Sequence, residues 1–149
     1  MKFVIYLFSA SIAFIAGTIG SDIFARTSIA EKTVAQALNE ALHWTWPDFT
    51  STIMLAAPFF ATALICAVFQ RRARTRSTLV IFVVATTTLL YFYFNGYQNA
   101  QHALLEGKWT AGALTLGLLP FIGIPIVLAV AAAGAMVATF DRRPPAGPL

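Results

Sequence analysis

Two histidines, each near a carboxylate, are the side chains best suited to chemistry in this 149-residue chain. Glu40 and His43 stand three apart, and His102 and Glu106 stand four apart. On a helix, either spacing puts both side chains on one face. A Glu-x-x-His pair is the ligand unit of carboxylate-bridged iron sites, but such sites use two of these motifs and two further carboxylates. This chain has one. Were the two segments to meet, both histidines and a carboxylate, with Asp48 also in range, would suit a single metal ion. Histidines that simply hydrogen-bond at a surface account for the same residues.

Other constellations fall away on residue type. Cys66 is the only cysteine, which excludes an internal disulfide, a cysteine zinc cluster and a CxxC redox pair. A serine triad would have to recruit Ser51 or Ser21 to His43 with Asp48 or Asp22, and only the availability of the residues supports it. No glycine-rich phosphate loop, kinase motif or zinc-protease motif is present. No cofactor is expected.

The elements that must position these residues are unusually apolar. Hydrophobic residues make up 58% of the chain and charged residues 11%, less than half the charged share of a soluble domain. Four runs, about 3–20, 51–69, 78–95 and 111–140, contain no Asp, Glu, Lys, Arg or His. A helix in water must keep one polar face, whereas about 20 apolar residues cross a bilayer. The pattern predicts an all-α integral membrane protein: one four-helix domain over residues 1–140 and a disordered tail over 141–149. Since no histidine lies inside a run, haem held between spans is not expected. A cleaved leader over the first run is disfavoured, because the run is long and lacks an A-x-A site.

Charge placement orients the spans. Lys2, Arg71, Arg72, Arg74, Arg76, Arg142 and Arg143 fall at the two ends and in the second connection, leaving Arg26, Lys32 and Lys108 opposite. By the positive-inside rule both termini are cytoplasmic, and the expected location is a bacterial inner membrane. The cluster Arg71, Arg72, Arg74 and Arg76 reads as a topology anchor touching anionic headgroups. The connection is too short for a nucleic-acid-binding domain, so no nucleic-acid partner is expected. Between the first two spans, Ser28 and Glu31 suggest a capping box. Val34, Leu38 and Leu42 then recur every fourth residue, predicting a short amphipathic helix over about 29–43 on the outer surface.

Small residues suggest packing seams. Ser9, Ala13, Gly17 and Ser21 repeat at four-residue spacing in the first span, with Phe3, Leu7 and Phe14 expected toward lipid. Gly117, Gly123 and Gly134 do the same service in the fourth run, which at 30 residues is roughly 45 Å of helix. Pro120 and Pro125 predict a break in it. Discontinuous helices build transporter sites, but no charge accompanies this one and the other half has no counterpart.

In span count and size the chain looks like many small bacterial inner-membrane proteins, including immunity proteins against pore-forming toxins. The leading expectation is a non-enzymatic protein of accessory, regulatory or toxin-immunity type. It would dock its small-residue helix surfaces on another integral membrane protein or on a second copy, with lipid as its other partner. One alternative is an outer-leaflet metal or redox enzyme at Glu40, His43, Asp48, His102 and Glu106. The other is a small channel or carrier using the fourth helix.

Overall fold

The computed structural model describes residues 2–45, 49–71 and 75–140. Every element in them is helical: α1 (Lys2–Ile15), a π-helical turn (Ala16–Gly20), α2 (Ser21–Ser28), α3 (Val34–Thr45), α4 (Phe49–Phe69), α5 (Thr75–Leu105) and α6 (Trp109–Phe140). Four helices are long and apolar enough to cross a membrane, over Phe3–Ser28, Thr50–Phe69, Arg76–Leu105 and Trp109–Phe140. The chain is a multi-pass, membrane-embedded helical protein.

Two spans are longer than their apolar runs. The first continues past Gly20 through the π turn into α2, carrying Asp22 and Arg26 onto the same helix. In the π turn the Ser21 amide bonds back to the Ala16 carbonyl, and the Thr18 hydroxyl donates to Phe14 at 2.7 Å. The third continues past Asn95 to Leu105, so the polar stretch after the apolar run is about three more helical turns. Glu106–Lys108 is then the whole connection to α6, turned at Gly107 with φ +74°.

α3 begins later than the short helix expected from the sequence. Ser28 ends α2, and its hydroxyl donates back to Phe24 at 2.6 Å. The cap of α3 is Thr33: its hydroxyl accepts from the Gln36 amide at 3.4 Å while the Gln36 side chain accepts from the Thr33 amide at 3.3 Å. This is the reciprocal geometry of a capping box, five residues after the expected one. Pro120 and Pro125, where a break is expected, both lie inside α6, which is helical from Trp109 to Phe140. Each proline removes one helical donor, leaving the carbonyls of Leu116 and Phe121 without theirs, and a membrane helix tolerates this.

α1 packs on α4, α2 on α5, and α6 on both α4 and α5. The buried face of the first span runs through Tyr6, Ala10, Ala13, Phe14, Gly17, Thr18, Ser21, Asp22 and Ala25. This is the three-and-four spacing of one helix face. Phe3 and Leu7 are exposed as expected, but Phe14 is buried, edge-on to Phe59 with ring centroids 6.0 Å apart. It belongs inside because it neighbours Ala10 and Gly17 on that face. Phe59 meets Tyr93 at 5.0 Å and Tyr6 meets Phe82 at 4.8 Å. Lipid removes most of the hydrophobic drive for helices to associate, so such close contacts are what hold the spans together.

Candidate functional site

The glycines show which helix surfaces are occupied. A Cβ on Gly17 would sit 3.2 Å from Leu90 and 3.3 Å from Phe59; on Gly123 it would sit 2.5 Å from Pro58. A Cβ on Gly134 would run into the ring of Phe69, and one on Gly112 would sit 3.2 Å from the Ala100 carbonyl oxygen. Gly17 and Ala13 are thus committed inside the bundle, Ser9 is half-buried, and Gly123 and Gly134 form the seam between α6 and α4. Gly117 differs: a Cβ there meets nothing within 4 Å. The sequence reading missed Gly96 and Gly112. Gly96 receives Leu119, the one large side chain that α6 buries fully, with 2.5 Å between its methyl group and a Cβ at that position.

The residues that α6 buries are Gly112, Leu119, Gly123, Val130 and Gly134, with Leu116 and Ile126 partly buried against the core beside them. A smaller share of α6 is buried than of any other span. Its outward face carries Leu114, Gly117, Leu118, Phe121, Ile124 and Leu128, all exposed. A groove lies along each flank. One, about 290 Å³, runs between α4 and α6 past Pro58 and Pro120; the other, about 570 Å³, runs between α5 and α6 past Thr88 and Pro125. Their linings are almost wholly apolar. The Thr88 hydroxyl is spent on its own helix, donating to Val84 at 2.8 Å.

At the other end of the first span, charges gather that the sequence reading left unassigned. The Arg26 guanidinium donates through Nε to Asp22 at 3.0 Å and through Nη1 to Glu40. Lys32 donates to both Glu40 oxygens, at 2.7 Å and 2.5 Å. Asp22 and Arg26 have side chains only 8% and 12% exposed, and Tyr97, buried on α5, is within electrostatic reach of both. The hydrogen bonds from Lys32, then those from Arg26, hold the Glu40 carboxyl below the usual glutamate range. A signal existed in the sequence: Asp22 and Arg26 are four apart, the spacing of a helical ion pair.

The expected metal ligands are not drawn together. Glu40 is engaged by Arg26 and Lys32, while His43 near the end of α3 and His102 in the last turn of α5 are exposed. Glu106 pairs with Lys108 at 2.7 Å, and that contact lowers its pKa and raises that of Lys108. Among the described residues no three His, Cys, Asp or Glu side chains are grouped to hold a metal. Asp48 lies outside the described residues, as do Arg72 and Arg74 of the basic cluster and the tail 141–149. Arg71 and Arg76 are exposed on either side of the second connection. No family model, curated protein or solved structure matches this chain.

Proposed function

We propose that this chain works by binding, as a non-enzymatic protein that docks another integral membrane protein on the outward face of α6. It would serve as an accessory or regulatory subunit, or neutralise a membrane-inserted toxin. We place it in a bacterial inner membrane with both termini cytoplasmic, since Lys2, Arg71, Arg76, Arg142 and Arg143 share that side. In this arrangement α3 lies at the outer surface with Val34, Leu38 and Leu42 toward the headgroups.

The observation that carries the docking surface is Gly117. The other three glycines of α6 are filled by neighbours within the bundle, and this one is bare. An exposed glycine weakens a helix by about 1 kcal/mol relative to alanine. It also lets a second backbone approach closely, as small residues do at membrane helix interfaces. The seams first expected to meet a partner, at Ala13, Gly17, Gly123 and Gly134, are used internally, which moves the docking surface to the opposite side of α6.

The test is purification of the tagged chain in mild detergent with its native partners. Gly117→Leu should lose the associated protein while keeping wild-type thermal stability, and Gly117→Ala should lose less of it. Undiminished association in Gly117→Leu would remove this face from the account.

A further inference from the structure

Among the described residues, α3 is attached to few elements of the molecule. It packs on α2 and the π turn. Its inward face is built on Ala37 and Ala41, both fully buried but small, while Val34, Leu38 and Leu42 point outward. Methyl-sized side chains give little dispersion contact, so even the modest contribution of half-exposed ion pairs counts in the attachment. Among the described residues these converge on Glu40: Arg26 reaches it from α2 and Lys32 from the connecting loop. That loop turns at Glu31, with φ +53°. A glutamate rarely adopts this left-handed conformation, and only surrounding structure holds it there.

We propose that α3 is a hinged lid over the buried Asp22–Arg26 pair, latched by Glu40 between Arg26 and Lys32 and hinged at Glu31. Among the described residues the charged groups facing the latch are Asp22 and Arg26 on α2 and Lys32 in the loop, and Tyr97 on α5 is within electrostatic reach of Asp22 and Arg26. Arg26 has a second acceptor in Asp22 and does not need Glu40 to stay paired. Neutralising Glu40 therefore releases α3 without stranding the buried arginine. The strained turn at Glu31 is relieved by the same movement, so hinge and latch oppose each other. Opening uncovers a carboxylate and a guanidinium carried on a membrane-spanning helix, where ionisable groups mark functional positions.

Hydrogen–deuterium exchange of the full chain in nanodiscs at pH 7 tests this. Glu40→Gln should speed exchange of the α3 amides about two- to fivefold, the scale of losing half-exposed ion pairs, and leave α4 and α6 unchanged. Glu31→Gly, which accepts the left-handed turn without strain, should slow the α3 amides. Three results would overturn the lid: no change in α3 with Glu40→Gln, equal acceleration across all helices, or both variants moving α3 in the same direction.

Discussion

The Tyr93 hydroxyl donates a 2.7 Å hydrogen bond to the main-chain carbonyl of Leu55, joining α5 to α4 inside the bundle. Leu55 lies in the turn before Pro58, where the missing proline amide already deprives the Met54 carbonyl of its donor. A side chain from the neighbouring helix thus steadies the turn that the proline loosens, as membrane helices with internal prolines require. Tyr93→Phe should cost roughly 0.6 kcal/mol, and no more than about 2 kcal/mol, since cross-helix bonds in lipid are weak. Exposed Tyr91→Phe is the control. Reversible unfolding in mixed micelles reads both, and equal effects would show that the bond contributes nothing.

The glycine of α6 that faces Pro58 allows no substitution without movement. A Cβ on Gly123 would lie 2.5 Å from one ring carbon and 2.6 Å from another, and a proline ring buried in a helix cannot swing aside. Gly123→Ala should lower stability by about 1–3 kcal/mol, the cost of overpacking. Gly134→Ala meets the Phe69 ring instead, which is only partly buried and can rotate, so its cost should be smaller. Gly117→Ala meets nothing and should be neutral or slightly stabilising. Melting midpoints of the three variants in one detergent test the order, and a Gly117 variant as unstable as the Gly123 one would refute it.

The attachment of α3 should depend on pH through Glu40. Its carboxyl is held below the ordinary glutamate value of about 4.3 by Lys32 and Arg26. A depressed folded-state pKa means the stabilisation is complete above the unfolded value and is lost as pH falls through the folded one. α3 should therefore stay docked at pH values above the unfolded glutamate value of about 4.3 and loosen only as pH falls below it. A spin label at Asn39→Cys in a Cys66→Ala background reports this as rising mobility. A transition near pH 6 would assign the attachment to another group.

The centres of the four spans were legible because uncharged stretches of that length have few homes outside lipid. Their ends were not. Asp22 and Arg26 read as loop residues by polarity, yet they neutralise each other and stay on the helix. Asn95, Gln98 and Gln101 read the same way, but a helix emerging from a membrane need not stop where its side chains become polar. Ser28 and Glu31 fitted a cap by spacing, as did Thr33 and Gln36, and nothing local chose between them; α2 already occupied Ser28. Small residues announced seams at Gly17, Gly123 and Gly134, but spacing alone could not separate Gly117, which points the other way.

Whether lipid surrounds these helices, with the arginine-bearing turn inside the cell, is decided most directly by cysteine accessibility. In a Cys66→Ala background, single cysteines replace Arg71 and Glu106, both exposed at opposite ends of the spans. A membrane-impermeant thiol reagent on intact spheroplasts should label Glu106→Cys at once and Arg71→Cys only after permeabilisation. Labelling of both in intact spheroplasts, or of Arg71→Cys alone, would contradict the account.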